Sequence, residues 1–170
     1  HNAIAVSNGT LALSAAYKAL DIRPGDEVIT TPRTFIATSA SLAMMGGIPV
    51  FADVDINSGN ITTKNIEPLI TKSTKAISVV HLAGWPAEMN KICKLAKNYN
   101  LKVIEDCSQA HGAKINNQHV GSFGDISTWS FCQDKIISTG GEGGMIMSRD
   151  VELYNKMWSL KDHGKTKKSR

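Results

Sequence analysis

Two periods of hydrophobic and polar positions alternate along the chain. Short apolar runs bounded by turn residues predict strands over residues 3–6, 26–30, 48–54, 75–80, 101–105, 126–131 and 145–148. Apolar residues three or four apart predict helices over 9–20, 35–45, 63–70, 87–98 and 151–160. Local signals punctuate these elements. Ser7-Asn8-Gly9-Thr10 opens the first helix, whose apolar face is read as Leu11, Ala15 and Ala19. Arg23-Pro24-Gly25-Asp26 reads as a turn, Gly46-Gly47 ends the second helix, and Thr62 or Thr63 caps the third.

Strands separated by helices of about ten residues imply βαβ units. The expected fold is α/β: a three-layer arrangement with a mostly parallel sheet and helices on both faces. Such sheets bind ligands beyond the carboxyl ends of their strands. Residues 7–10, 31–35, 81–85, 105–109 and 130–135 therefore mark the expected site. No internal repeat, low-complexity stretch or interdomain linker is visible.

Composition narrows the function classes. The chain has 170 residues, 42% hydrophobic and 20% charged, which suits a globular domain rather than a disordered or fibrous chain. No run approaches the roughly 18 apolar residues of a membrane span, and no signal-peptide pattern opens the chain. The net charge of +4 comes from the end of the chain: five bases (Lys161, Lys165, Lys167, Lys168, Arg170) against Asp162. Residues 1–160 are formally neutral, so no nucleic-acid partner and no membrane surface is expected. Cys93, Cys107 and Cys132 lack CxxC spacing and the five histidines are scattered, so neither a disulfide framework nor a metal site is expected. Free thiols point to a reducing compartment, the cytoplasm.

Three strand-end segments carry chemistry. Ser7-Asn8-Gly9-Thr10 leads into a helix whose free N–H groups and dipole can hold an anion, although a plain N-cap explains the same residues. Glu105-Asp106-Cys107-Ser108-Gln109 brings carboxylates to the end of a buried strand, where each must be paired or must act chemically. Asp106 could also cap a short helix expected next, and both readings could hold. Lys135 lies between Ser130-Phe131-Cys132-Gln133-Asp134 and the loop Thr139-Gly140-Gly141-Glu142-Gly143-Gly144, whose glycines allow close approach of backbone to a ligand. This is no dinucleotide motif, because a strand follows it. An anion site, a strand-end carboxylate, a candidate Schiff-base lysine and the aromatic Phe35 together suit pyridoxal 5'-phosphate (PLP). Cys107 and Cys132 flank the site without a dedicated His and are read as buried packing residues rather than nucleophiles.

The segments Ser7–Thr10, Thr34-Phe35-Ile36-Ala37-Thr38, Glu105–Gly112 and Ser130-x4-Lys135-x3-Thr139-Gly140-Gly141-Glu142-Gly143-Gly144 resemble the DegT/DnrJ/EryC/StrS group. These are PLP-dependent nucleotide-sugar aminotransferases of the aspartate-aminotransferase fold, fold type I. The resemblance covers essentially the whole chain. It implies that Lys135 forms the Schiff base with PLP and that Asp106 partners the ring nitrogen. Gln109 resembles the residue at the ring hydroxyl edge, Phe35 the stacked aromatic, and Gly9, Thr10 and Ser130 the phosphate binders. Lys135 and Asp106 are thus the expected catalytic residues.

The resemblance also implies an activity: transfer of an amino group, with glutamate as the expected donor, to a keto sugar on a nucleotide in amino-sugar or surface-polysaccharide biosynthesis. Members of the group are more than twice as long. Residues 1–170 therefore correspond to a PLP-binding large domain, without the group's N-terminal segment and C-terminal small domain. A homodimer with shared active sites is implied, with the loop 140–144 and the basic tail near the partner. Two alternatives stand beside this reading. One is a related sugar dehydratase, which carries His where this chain has Lys135; the other is a non-catalytic binding or regulatory domain that keeps the fold.

Overall fold

The computed structural model describes residues 2–166. The predicted alternation of strands and helices is present. In chain order the elements are β1 (Asn2–Val6), α1 (Gly9–Ala19), β2 (Glu27–Thr30), α2 (Ala37–Ala43), β3 (Ile48–Phe51), α3 (Thr63–Ile66), β4 (Thr74–Val80), α4 (Met89–Asn98), β5 (Lys102–Asp106), β6 (Lys114–Ile115), β7 (Gln118–His119), β8 (Ile126–Ser130), β9 (Gly144–Ser148) and α5 (Val151–Lys161).

Seven strands form one sheet in the order β1-β9-β8-β5-β4-β2-β3, and β6 and β7 form a separate hairpin. The run from β3 to β8 is parallel throughout. At the other edge β9 is antiparallel to both β8 and β1. Two reversals cancel, so β1 runs in the same direction as β8. The carboxyl ends of β1, β2, β4, β5 and β8 consequently share one edge of the sheet, and the chain reverses order between β2 and β4, where ligands of such sheets sit.

Period-2 alternation sends neighbouring strand residues to opposite faces and divides the core in two. Val28, Ala76, Ile104, Ile126 and Ile146 pack with Leu13, Ala16 and Tyr17 of α1 and with Leu153 and Met157 of α5. Ile29, Ile77, Val79 and Val103 pack with Met89, Ile92 and Leu95 of α4. The expected three layers are these two helical layers and the sheet.

Local details both match and amend the sequence reading. Pro24 and Gly25 (φ +92°) form the turn into β2, closed by Asp26 N–H donating to Arg23 O at 3.0 Å. Gly46 (φ +82°) terminates the chain segment after α2 as expected. The buried face of α1 is Ala12, Leu13, Ala16, Tyr17 and Ala19; of the predicted face Ala19 is buried and Ala15 half-buried against the core, but Leu11 is exposed. An alanine-rich helix is apolar nearly all round, and the bulk of Leu13 and Tyr17 decides which face turns inward. Residues 67–69, with Pro68, form a separate 3-10 turn that shortens the third helix. The hairpin β6–β7 was not predicted: it turns on Asn116 and Asn117, both at positive φ. Of the basic tail, Lys167, Lys168 and Arg170 lie outside the described residues, while Lys165 pairs with Asp162 at 3.8 Å.

Candidate active site

A cavity of about 400 Å³ opens at the shared carboxyl edge, lined by the start of α1, the segment before α2, the end of β4 and the loops after β5 and β8. Gly9, Thr10, Phe35, Asp106, Gln109, Ser130 and Lys135, the residues singled out from sequence, all line it. No single stretch of chain supplies more than a few of them; the parallel register gathers the rest.

At the anion end, Asn8 caps α1 by accepting Leu11 N–H at 2.9 Å, so the N-cap reading is correct for Asn8. Ala12 N–H goes to the Asn8 carbonyl. Among the described residues no acceptor takes the N–H groups of Gly9 and Thr10, which leaves both for an anion at the positive end of the helix. Gly9 is required by packing: a Cβ there would lie 2.8 Å from Ser130 Cβ, and this approach joins the two proposed phosphate segments.

Asp106 projects to the α1 face of the sheet. Thr38 Oγ1 donates to its Oδ2 at 3.1 Å, and Ser108 N–H and Oγ donate to its Oδ1 at 3.1 and 2.6 Å. The local cap and the cavity-facing carboxylate are therefore the same group. Thr38 is itself anchored, since the buried Tyr17 hydroxyl donates to its carbonyl at 2.9 Å and lies 3.1 Å from Ser78 Oγ. Burial pushes the Tyr17 phenol far above its ordinary range, so it stays a neutral donor. Sequence reasoning included Thr38 in a motif segment but gave it no role, because one Thr among small helical residues carries no periodic signal.

Lys135 follows β8 in a tight turn, with its N–H donating to Cys132 O at 3.0 Å. Its side chain is 19% exposed, and Nζ lies 3.8 Å from Asp134 Oδ1. The following loop folds back through Thr139 N–H to Phe131 O and Phe131 N–H to Gly143 O. Its glycines serve packing more than ligand approach. A Cβ on Gly144 would collide with the Asn8 backbone and one on Gly143 with Thr139 at 2.8 Å, whereas Gly140 and Gly141 are open. Phe35 stands at the cavity mouth, 66% exposed.

The cysteine reading holds for Cys107, which is fully buried and whose thiol is pushed well up by burial. It is corrected for Cys132. That residue is half-buried, lines the cavity and donates to Glu142 Oε1 at 3.2 Å, a bond that raises its thiol pKa. A thiol held in this way is a poor nucleophile.

Glu105 projects to the other face of the sheet. It accepts from His81 Nε2 at 3.0 Å and from the N–H groups of Gly121, Phe123 and Gly124 at 2.7–2.8 Å, while His81 Nδ1 accepts Ala87 N–H. Burial alone would raise its pKa, but these donors hold it below the usual carboxylate range. His81, Glu105 and Cys107 bring potential metal-ligand atoms within 4.8 Å of one another, yet the carboxylate oxygens and both imidazole nitrogens are already committed to these bonds.

Fold and site together define an α/β protein that presents an amine, a carboxylate and an open helix N-terminus to one strand-end cavity. The sequence matches the DegT/DnrJ/EryC1/StrS aminotransferase family over residues 1–170, and the chain belongs to that family. It is 49% identical over 161 residues to the UDP-N-acetyl-3-dehydro-alpha-D-glucosamine 3-aminotransferase of Acidithiobacillus ferrooxidans, covering 95% of this chain and 44% of that protein. The crystal structure of an aminotransferase from Psychrobacter cryohalolentis superposes with a TM-score of 0.95 at 58% identity, covering 97% of this chain and 42% of that one. NtdA of Bacillus subtilis, solved with the cofactor PMP bound, gives 0.88 at 36% identity, covering 94% of this chain and 36% of that one. The expected aspartate-aminotransferase-like fold is thus shown, and the chain spans less than half the length of these relatives.

Proposed function

We propose that the chain is the cofactor-binding large domain of a PLP-dependent aminotransferase that aminates a keto sugar carried on a nucleotide, with glutamate as donor. The observation that carries this is the meeting of Lys135 and Asp106 in one cavity with the open α1 N-terminus. The donor set fits PLP: two N–H groups and Ser130 for a phosphate, a carboxylate for a ring nitrogen, and a shielded primary amine for an aldehyde. When bound, PLP supplies an electron sink that stabilises negative charge at the donor's α-carbon.

The chain's own residues supply the rest. Asp106 keeps a proton on the ring nitrogen, held in position by Thr38 and Ser108. Lys135 Nζ would act as the base that takes a proton from the donor's α-carbon and as the acid that gives it back. Gly9, Thr10 and Ser130 would hold the phosphate, Gln109 would donate at the ring hydroxyl edge, and Phe35 would shield the ring from water. A lysine in this cavity, rather than histidine, favours amination over dehydration.

The cavity mouth favours a homodimer. Phe35 lines the cavity, Ile36 follows it and Ile136 and Ile137 follow the lining residue Lys135 in the chain; all four are more than half exposed, apolar surface suited to a partner subunit that would complete the phosphate site. Among the described residues no helix is long and apolar enough to cross a membrane. Three free thiols and a nucleotide-linked substrate suit the cytoplasm. The test is spectroscopic. Titrating the intact protein with PLP gives a visible band distinct from free PLP, and Lys135→Ala does not; equal spectra for both overturn the reading.

A further inference from the structure

Beyond the strand ladder, one hydrogen bond among the described residues joins the loops after β4 and β5. The ladder between these strands ends with His81 N–H donating to Asp106 O at 3.1 Å. In the next turn Gly84 N–H bonds His81 O and Trp85 N–H bonds Leu82 O, both within the loop. Ala83 N–H instead leaves the loop and donates to Gln109 Oε1 at 2.8 Å. There Ala83 adopts φ +54°, ψ +26°, the left-handed region that non-glycine residues disfavour. The neighbouring Gly84 (φ +77°) lets the loop lie against the Gln109 backbone, with a Cβ position 3.3 Å from Gln109 O.

A backbone N–H can bond only the oxygen of a side-chain amide. Oε1 of Gln109 is therefore turned to the loop, and Nε2 is turned the other way. Gln109 lines the cavity, and among the described residues its Nε2 meets no acceptor. We propose that Ala83 is a positioning residue: its strained main-chain N–H fixes the Gln109 amide so that a donor, never an acceptor, faces the ligand's ring oxygen. This rests on the PLP reading of the cavity and adds to it the device that orients one of its contacts. A fixed donor there stabilises an ionised ring oxygen, whereas an amide free to flip would present its carbonyl and repel it.

The variants separate orientation from contact. Gln109→Glu keeps an acceptor for Ala83 N–H and removes the donor; Gln109→Ala removes both. Ala83→Gly keeps the N–H, and Ala83→Pro removes it. Hydrogen exchange at Ala83 without cofactor reads the bond itself: it is protected about tenfold in the wild-type protein and in Gln109→Glu, and loses that protection in Gln109→Ala. The pH midpoint of the visible band of bound PLP reads the orientation. It rises by about one pH unit in Gln109→Glu, Gln109→Ala and Ala83→Pro, and Ala83→Gly restores the wild-type value. Equal exchange in wild type and Gln109→Ala overturns the proposal even if Ala83→Pro fails to fold. A normal PLP band with a midpoint indifferent to Gln109 also overturns it, while leaving the PLP reading intact. No PLP band in the wild-type protein, with the exchange difference preserved, overturns the PLP reading and the role of the clamp with it.

Discussion

Glu105 and Asp106 are consecutive residues of β5 whose carboxylates face opposite sides of the sheet, one bonded to His81 at 3.0 Å and the other to Thr38 at 3.1 Å. The strand period alone separates them. Glu105 ties the 121–124 segment to the sheet, and Asp106 is left for the cavity. A one-residue slip of β5 would exchange the carboxylate that ties the 121–124 segment for the one that lines the cavity.

Glu105 gives a pH dependence of stability. Its folded pKa is depressed, so its contribution is complete above the unfolded value near ~4.3 and is lost as pH falls through the lower folded value. Glu105→Gln should turn an NH2 group toward the backbone N–H groups that Oε1 now accepts, and destabilise the fold by roughly 2–4 kcal/mol at neutral pH. Urea unfolding across pH checks this. The gap between the two proteins should narrow in acid, and a constant gap would contradict the assignment.

Thr38→Val removes one hydroxyl from a buried site at nearly constant volume. The expected loss is about 1 kcal/mol of stability and several-fold weaker PLP binding, with Thr38→Ser close to wild type in binding. Thermal unfolding and PLP titration measure the two separately. Unchanged binding in Thr38→Val would mean that Asp106 needs no support from α2.

The fold was legible where apolar runs are long and turn chemistry is specific, as at Pro24-Gly25 and across β4 and β5. The residues that line the cavity were legible because strand ends, unlike side-chain contacts, can be read from pattern. Thr38 and the Ala83–Gln109 bond were not legible: each joins segments tens of residues apart through a single polar contact. The antiparallel placement of β9 was also hidden, since an apolar strand of five residues carries no sign of its direction. Leu11 was misplaced because periodicity in an alanine-rich helix is too weak to choose a face.

Ile136 and Ile137, directly after Lys135, are exposed by 67% and 56%. If they bury against a partner subunit, Ile136→Glu puts an unpaired charge in that interface. Sedimentation of the intact protein should move from dimer to monomer, with weaker PLP binding. A monomeric, fully active wild-type enzyme would contradict the shared site.

Asp106→Asn keeps one acceptor oxygen, for Ser108, and turns an NH2 group to the Thr38 hydroxyl, which can accept it; it loses the charge proposed to hold a proton on the ring nitrogen. PLP should remain bound, and transamination should slow by orders of magnitude. Single-turnover reaction with the amino donor measures it. Near-normal turnover would reduce Asp106 to a local cap.

The central claim is that Lys135 carries the cofactor. Borohydride reduction of the PLP-loaded protein, followed by peptide mapping, tests it most directly. One modified peptide, containing Lys135, is expected, and none in Lys135→Ala. Trapping on a different lysine, or undiminished trapping in Lys135→Ala, would contradict the account.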